Sequence, residues 1–585
     1  GFQTDPASSP VAAGKPWVVL KFGGTSVSSG STWKQIIARV KELREEMDCK
    51  IFLVLSALSQ VTNSIEKCLT EAVEQQELTS LQWIEDTHRR LAREVGLDAQ
   101  AINNVLECVR EMENLLQGIS MVGEVSPRVK ARMCSYGEQM STRMAVHILR
   151  VHGVKASLVQ SGDLLVTDTP LNAMDEDKYL NANIYPRSER EWAESVIQEK
   201  AEPFSQGVPD VVVTQGFIAR NVKGETCLLG RGGSDTSGSL IAALVAAHHL
   251  EIWTDVYGMF TGDPRSMPHV RLIQKISWRE AQELATSGAK VLHPRCIGPA
   301  AMFNVPIEIR NTMDPASQHT LITVDDFQRF STGEQDEGRG RGPPSSGNRS
   351  PWQSPYPSPR QSPRQSPRDK TNAVQQRRTA TNNLPPAFCG VVSQSGCIMI
   401  TLTTMEMWGA TGFLVNCFNP FREFSISVDQ VATSQSGVSV TISHVPGGIE
   451  GDSFQGLLAS LRRLGEVTVE QKIAVVTVVG RKIRKKLQEL GKAMEAFAEV
   501  EVLMVSASSE DVAMSFVVRE EKAKLLVEVL HHELIPVTGG DEMFGDTYKA
   551  IKEKDAMRRV SMEVTEAAAA AQDARLALLS IQGLG

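Results

Sequence analysis

An arginine, a serine and an aspartate lie within one glycine-rich turn of this chain. The segment Arg231 to Asp235 follows a strand-like run, Cys227 to Leu229, and precedes an apolar helix-like run, Ser239 to Ala247. The first amides of a helix have no internal partners, so a carboxylate or phosphate is stabilised there. Arg231 can add a bidentate clamp. The pattern predicts an anion site, the alternative being an ordinary tight turn between strand and helix.

Polar side chains also follow two other strand-like runs. Lys21 stands on the first of these runs and begins the segment KFGGTSVSS, Lys21 to Ser29, which favours contact with a phosphate. The motif GxxxxGK[ST] is absent from the sequence, so a P-loop nucleotide hydrolase is disfavoured. The segment SALSQVTN, Ser56 to Asn63, places hydroxyl groups at the end of the second run.

Further candidates lie on a predicted helix and in two later segments. Glu138 and Ser141 share one helix face, although a lone helical glutamate is more often a solvated charge. The segments Thr254 to Arg265 and Ser287 to Arg295 offer Thr, Asp, Arg and Lys beside strand or turn ends. We expect His293, which precedes a proline, to be structural.

These residues require a scaffold of alternating strands and helices. Helical patterns separate most of the apolar strand-like runs, and this alternation predicts an α/β domain with a mainly parallel sheet and helices on both faces. Ligands should then bind at the carboxyl ends of the strands. The strand-like runs are Trp17 to Phe22, Ile51 to Ser56, Asp210 to Ile218, Glu251 to Val256 and Val305 to Arg310.

Composition narrows the class of protein. A chain of 585 residues is too long for one core, and its net charge of -8 argues against a general nucleic-acid surface. Its nine cysteines are scattered without a CxxC pair, which predicts neither a disulfide framework nor a zinc site. The same cysteine pattern predicts a reducing compartment, the cytoplasm or a plastid or other organelle interior, and not secretion. Because no apolar run approaches about 20 residues, we expect a soluble protein and not a membrane protein.

The middle of the chain has the composition of a linker. Pro, Ser, Gly, Lys and Arg fill 26 of the 34 positions from 337 to 370, so this part cannot build a core. We predict disorder over 1–15 and 327–386. The SPR triplets beginning at Ser358, Ser362 and Ser366 are candidates for a basic contact arm or for phosphorylation, although a solvated linker is favoured.

A weak repeat of two βαββ units follows the linker. The first copy begins at Cys397 to Leu402, and the second places its helix at Lys485 to Ala498. Units of this size stabilise one another or a symmetry mate. We predict domains at 387–465 and 466–550, and a tail at 551–585 with an Ala-rich helix, Glu563 to Leu579.

Taken together, the motifs resemble those of one enzyme family. KFGGTSVSS, SALSQVTN, SYGEQMSTR, TQGFI, GRGGSDTS, TDVYGMFTGDPR and GAKVLHPR closely resemble, in this order, the aspartate kinases of the amino-acid kinase family. The resemblance implies an αβα sandwich over 16–326. MWGATGFL, SISVDQVATS and GVSVTI look like the paired ACT domains of the lysine-sensitive enzymes. Details such as TQGFIARN are most similar to the kinase half of bifunctional aspartokinase and diaminopimelate decarboxylase proteins.

The resemblance implies transfer of the ATP γ-phosphate to the β-carboxylate of L-aspartate, the entry step to lysine, threonine and methionine. An aspartate side chain with a pKa of about 3.9 is already ionised, so the attack needs no general base. The resemblance assigns neutralisation of the transferring phosphoryl group to Lys21, a clamp on the substrate α-carboxylate to Arg231 and a partner for its ammonium to Glu138. Asp235 would orient Lys21 or the substrate amine.

The same resemblance assigns two binding sites in the kinase part, with Mg²⁺ bridging the ATP phosphates. Matching the aspartate pocket, besides the residues above, are Ser56, Thr62, Phe217 and Ser234. Matching the nucleotide site, besides Lys21, are Gly23, Gly24, Thr25, Thr254, Asp255, Phe260, Arg265 and Lys290.

For the ACT part the resemblance implies inhibition by lysine and a homo-oligomer, a dimer or tetramer, paired through these domains. Two alternatives stay open: a catalytically weak amino-acid sensor that keeps the fold, and a kinase of the same fold that acts on glutamate or a nucleoside monophosphate. The positions that match lysine-binding residues are Met407, Ser427, Val428, Asp429, Thr433 and Ser434.

Overall fold

The computed structural model describes residues 15–201, 209, 211–289, 291–324, 388–536 and 543–558. The described residues on both sides of the gap between 324 and 388 belong to one compact unit. The predicted linker at 327–386 with its SPR triplets, the Ala-rich helix Glu563 to Leu579, Lys290 and all of the predicted N-terminal segment except Lys15 lie outside the described residues.

The part before the gap is built on an eight-stranded sheet with the order β3-β4-β2-β1-β7-β10-β11-β9. All neighbouring pairs are parallel except β10 and β11. Four of the five predicted strand runs are present within two residues of their predicted bounds, whereas the run Asp210 to Ile218 is divided between β4 and the start of β5, which belongs to a separate sheet. The strands are β1 (Trp17–Phe22), β2 (Lys50–Leu55), β3 (Ala156–Leu158), β4 (Val211–Gln215), β5 (Ile218–Arg220), β6 (Thr226–Leu228), β7 (His249–Thr254), β8 (Arg271–Ile273), β9 (Lys275–Ser277), β10 (Ile307–Asn311) and β11 (Thr320–Thr323).

Helices cover both faces of this sheet, as the βα alternation predicts. Along β1, Val18 and Leu20 enter one apolar core while Trp17 and Val19 enter the other, because successive strand side chains point to opposite faces. The helices are α1 (Gly30–Met47), α2 (Val61–Val73), α3 (Thr79–Glu94), α4 (Ala99–Val122), α5 (Pro127–Val151), α6 (Ser161–Leu164), α7 (Asp175–Tyr179), α8 (Arg190–Lys200), α9 (Gly233–Leu244), α10 (Trp278–Thr286) and α11 (Ile297–Met302).

The part after the gap forms a six-stranded antiparallel sheet with the order β13-β14-β12-β15-β17-β16. The predicted repeat of strand, helix, strand, strand is present twice, and a second helix follows each copy. The elements are β12 (Phe388–Thr403), α12 (Phe413–Glu423), β13 (Gln430–Thr433), β14 (Gly437–Ile442), α13 (Asp452–Leu461), β15 (Glu466–Gly480), α14 (Leu487–Ala493), β16 (Val502–Ala507), β17 (Ala513–Arg519), α15 (Glu520–Leu534) and β18 (Phe544–Thr547), with a further helix at 548–558.

Strands β12 and β15 each serve both repeat copies. The first half of β12, 388–394, pairs with 475–480 of β15, and its second half, 399–403, pairs with 466–470. Register shifts between Gln394 and Met399 separate the halves. We therefore call 397–470 the first unit, and 388–394 together with 473–536 the second unit. The boundary predicted at 465 falls directly before β15, whose first residues, 466–470, pair within the first unit.

The second unit packs against the α/β part. Arg481 of the second unit forms two hydrogen bonds with the buried Glu280, at 2.9 and 3.1 Å, and β18, which follows this unit in the chain, pairs with β8. All nine cysteines of the chain are free and buried. Within the described residues, no helix combines the length and apolar character needed to cross a bilayer.

Candidate active site

A cavity of about 440 Å³ opens at the carboxyl ends of β1, β2 and β4. This is the sheet edge at which α/β proteins bind ligands. The structure brings together here every residue that the resemblance matches to the aspartate pocket, and two glycines matched to the nucleotide. The predicted residues that line the cavity are Lys21, Gly23, Gly24, Ser56, Thr62, Glu138, Phe217, Arg231, Ser234 and Asp235.

Lys21 and Asp235 form a largely buried ion pair on one wall of this cavity. The distance from Lys21 Nζ to Asp235 Oδ1 is 2.5 Å. The pair forms because α9 runs close to β1: a Cβ atom at Gly238 would lie only 3.2 Å from the Cβ of Lys21. Opposite charge in a partly buried site holds the ammonium in place. The lysine is thus positioned at the end of its strand before any ligand binds.

The glycine turn places the first turn of α9 on the same wall. Helix α9 begins at Gly233, so the prediction of a helix over Ser239 to Ala247 is wrong at both ends. Gly232 has φ 68°, which favours glycine, and a Cβ there would lie 2.1 Å from Cγ of His293. Ser234 and Asp235 therefore belong to the first helical turn, where backbone amides lack intrahelical acceptors.

Glu138 is buried, with 3% of its surface exposed, so the solvated alternative is wrong. Its Oε1 accepts a hydrogen bond from the amide of Ala57 at 3.2 Å. Its Oε2 is buried and has no hydrogen-bond partner among the described residues. Burial raises the pKa of Glu138 to about 8, while the bond from Ala57 acts in the opposite direction. A carboxylate in this state favours a cationic ligand group beside it.

The cavity lining also contains a residue in a strained conformation, next to α9. Phe217 has φ 65°, which is uncommon for a bulky side chain, and its amide donates to Ser237 Oγ at 2.9 Å. Gly216 permits this arrangement, because a Cβ there would lie 2.8 Å from the Cβ of Ser234. In the sequence, nothing except its identity as a glycine indicated that Gly216 has this role. Arg231 is exposed on the cavity wall.

The residues matched to the nucleotide divide between this cavity and a second one. The amide of Gly23 donates to the carbonyl of Trp253 at 3.3 Å, which brings the turn after β1 beside the end of β7. Thr254 follows directly, and its hydroxyl donates to Asp255 at 3.2 Å. Thr25 is exposed and lines neither cavity.

The second cavity has a volume of about 880 Å³ and lies between the α/β part and the second unit. Asp255, Phe260 and Arg265 line it. Arg265 is held by Asp263 at 3.1 Å. The sequence did not predict the walls that the second unit contributes. Its residues lie near the segment Thr254 to Arg265 only because the second unit packs against the α/β part.

The six positions matched to lysine binding surround β13 in the first unit. Met407 and Val428 pack on the edge of its core, while Asp429 donates its amide to the carbonyl of Thr441 at 2.8 Å. Ser434 begins the turn between β13 and β14, where its amide donates to the carbonyl of Gly437 at 2.9 Å. The exposed members of the set are Ser427, Asp429, Thr433 and Ser434.

His293 has the structural role that we expect from the sequence. Its Nδ1 accepts from the amide of Arg295 at 3.3 Å, and its ring packs on Gly232. Arg295 in turn donates to the carbonyl of Leu229 at 2.6 Å, which ties this segment to the strand before the glycine turn. The described residues contain no group of three or more His, Cys, Asp and Glu side chains placed to hold a metal ion.

Comparison with known proteins identifies the kinase part by sequence. Residues 16–311 match the amino acid kinase family, and residues 476–534 match the ACT domain family. Aspartokinase 2, chloroplastic, of Arabidopsis thaliana is 27% identical over 532 residues, covering 88% of this chain and 83% of that protein. Lysine-sensitive aspartokinase 3 of Escherichia coli (strain K12) is 28% identical, covering 88% of this chain and 99% of that protein.

Solved structures show the same architecture. Escherichia coli aspartokinase III in complex with aspartate and ADP has a TM-score of 0.66 and 24% identity, covering 89% of this chain and 100% of that chain. The same enzyme in complex with lysine and aspartate has a TM-score of 0.59 and 25% identity, covering 89% and 99%. Since residues 16–311 make up 296 of the 585 residues, the chain belongs to the amino acid kinase family.

Proposed function

We propose that this chain is an aspartate kinase, which transfers the γ-phosphate of ATP to the β-carboxylate of L-aspartate. The observation that carries the proposal is the first cavity, where Glu138, a buried carboxylate with one oxygen unpartnered within the described part of the chain, lines the walls together with a Lys21–Asp235 pair and Arg231. An α-amino acid with a second carboxylate presents the complementary groups. The similarity to aspartokinases over most of their length supports this choice.

Each charged residue then has one task. Arg231 pairs with the substrate α-carboxylate, and Glu138 pairs with its ammonium through the free Oε2. The first turn of α9 and Lys21 stabilise negative charge as the phosphoryl group moves to the β-carboxylate. Asp235 holds Lys21 in position. No residue has to remove a proton, because the attacking carboxylate is ionised at neutral pH.

Magnesium fits this site as part of the nucleotide complex. Mg²⁺ bound to ATP keeps several waters and takes only one or two protein carboxylates, so it needs no dedicated cluster of protein ligands. Asp255 and Asp263 are among the carboxylates that line the second cavity, and they would be available to the ion. The ion supplies additional positive charge on the transferring phosphates, while the alignment of the substrates depends on the residues of the chain.

For the ACT units we propose feedback inhibition by lysine and assembly into a dimer or tetramer. The first unit also exposes apolar side chains after β12, among them Met405 at 92% and Trp408 at 78% exposure, and such side chains favour a protein interface. We propose the cytoplasm or a plastid or other organelle interior as the compartment, because all nine thiols are free.

A coupled assay of ADP release with ATP, Mg²⁺ and L-aspartate tests the proposal. We expect turnover with aspartate and a much lower rate with glutamate. Absence of turnover at millimolar aspartate, with aspartate binding retained, would instead favour an amino-acid sensor. Lysine titration in the same assay tests the regulatory assignment separately, since unchanged rates at saturating lysine reject it without affecting the catalytic one.

The substitution Arg231→Ala tests the assigned substrate orientation. We expect a rise of about 10- to 100-fold in the KM for aspartate, because a bidentate contact to the α-carboxylate is lost. The KM for ATP should change little. Arg231→Lys keeps the positive charge but cannot form the bidentate contact, so its KM for aspartate should lie between those of the wild type and Arg231→Ala. Normal aspartate saturation in Arg231→Ala would show that Arg231 does not hold this carboxylate.

A further inference from the structure

The second cavity has walls from two distant parts of the chain. One wall is the loop after β7 that carries Phe260 and Arg265, and the other is formed by 391–395 of β12 and by α15. The helix at 548–558 closes one side through Tyr548, whose ring meets the Phe260 ring edge to face at 5.5 Å. A nucleotide in this cavity would therefore contact a wall built by the second unit.

Thr261, next to Phe260, is the point at which the loop is attached to the second unit. It is fully buried. Its carbonyl accepts from the amide of Val391 at 2.8 Å, and its Oγ1 lies 2.8 Å from Nε2 of His531 on α15. The amide of Arg271 donates to the same hydroxyl at 3.0 Å. The loop conformation is thus set by both parts of the molecule.

His531 is suited to this contact because it is uncharged. Burial lowers its pKa to about 4, and the neighbouring His269 and His532 act in the same direction. A neutral imidazole can accept through Nε2. In the tautomer with Nε2 unprotonated, the Thr261 hydroxyl donates its proton to His531 while it accepts from the amide of Arg271. This bond ties the Thr261 side chain to α15 and adds to the backbone bonds that hold Thr261 next to Phe260.

We propose that His531, a residue of the second unit, is a positioning residue for the nucleotide: through Thr261 it holds the loop of Phe260 and Arg265 in the conformation that binds ATP. The inference rests on the proposed nucleotide role of the second cavity. The second unit then helps to form the nucleotide site, whether or not an effector is bound.

The test compares His531→Ala with His531→Gln and His532→Ala. Gln places an amide near the position of Nε2, and His532 is an exposed neighbour that contacts Glu533. We expect the KM for ATP and the Kd of ADP, measured by calorimetry, to rise about 3- to 10-fold in His531→Ala. The KM for aspartate should stay within twofold. His531→Gln should recover most of the loss, and His532→Ala should match wild type.

A double-mutant cycle with Thr261→Val separates positioning from general stability. If the proposal holds, His531→Ala adds little to the ADP-binding loss already present in Thr261→Val. Additive losses, equal changes in both KM values, or a lower melting temperature with unchanged ADP affinity would each overturn it. Failure of the proposed function appears instead in the wild type, as ADP binding without transfer to aspartate, and leaves the ADP comparison valid.

Discussion

At the scale of single residues, burial of Glu138 lowers the stability of the folded protein when no ligand is bound. A carboxylate buried with one unpartnered oxygen is costly in its charged form, and its pKa of about 8 reflects this cost. A substrate ammonium beside Oε2 would reverse the effect and favour ionisation. Glu138 therefore lowers the stability of the free enzyme, and the same buried carboxylate provides the partner for a substrate amino group.

The substitution Glu138→Gln tests this effect through the pH dependence of protein stability. The folded-state pKa exceeds the ordinary value of 4.5, so the folded protein holds a proton that the unfolded chain releases. The resulting stabilisation is complete below about pH 4.5 and is lost as pH rises through about 8. We therefore expect wild-type stability to fall between pH 5 and pH 8 more than that of Glu138→Gln, by on the order of a few kcal/mol.

Melting temperatures across this range provide the measurement, with Glu113→Gln on the exposed face of α4 as the control. Parallel curves for wild type and Glu138→Gln would contradict the raised pKa. The variant should also lose aspartate affinity at pH 8, because a neutral amide cannot pair with an ammonium.

At the scale of elements, the glycine turn and α9 show how a helix begins where its sequence is unfavourable. The segment GSDTSG has poor intrinsic helix propensity. It is nevertheless helical, and Thr236 and Ser237 satisfy their buried hydroxyls by donating to the carbonyls of Gly232 and Gly233, at 3.0 and 2.9 Å. The apolar pattern starts only at Leu240, which explains why the predicted helix began too late.

The substitution Gly232→Ala tests the turn. A left-handed φ and a Cβ position 2.1 Å from His293 oppose any side chain there. We expect a destabilisation of about 1 to 3 kcal/mol and a higher KM for aspartate. Gly118→Ala is the matched control, because Gly118 lies inside α4 with open space around it. It should stabilise the protein by about 0.5 to 1 kcal/mol. Equal effects in chemical denaturation would refute the role of the turn.

The sequence predicted the first cavity well and the second cavity poorly. Lys21 lies near the end of β1, Arg231 follows β6 and Glu138 lies within α5, and each belongs to a local motif that the sequence shows. His531 and Tyr548 lie far along the chain from Phe260 and reach it only by packing. Likewise, a short apolar run such as Cys397 to Leu402 shows that a strand exists, but not that the strand extends backwards to Phe388 and pairs within a second unit.

At the scale of the whole molecule, a buried ion pair joins the α/β part to the second unit. Glu280 is 1% exposed and Arg481 16% exposed. Removing one member of such a pair leaves an uncompensated buried charge. A second bridge between the same parts, Arg279 with Glu510, is exposed on both sides. The two bridges provide a matched comparison.

We expect Arg481→Met to destabilise the protein by about 3 kcal/mol, and Arg279→Met by no more than about 1 kcal/mol. Urea denaturation monitored by tryptophan fluorescence measures both. Raising the salt concentration should reduce the destabilisation by Arg279→Met and leave that by Arg481→Met almost unchanged, because buried ion pairs are weakly screened. Similar destabilisation by the two substitutions would mean that the buried pair does not dominate the docking.

The double use of β12 also has a consequence for the order in which the protein is made. Residues 388–394 leave the ribosome before the whole first unit, and their partner strand, 475–480, is synthesised only afterwards. The first unit is thus an insertion that can close early, while the second must wait with an unpaired strand edge. Because this pairing is non-local, its closure is expected to be the slow and aggregation-sensitive step of folding.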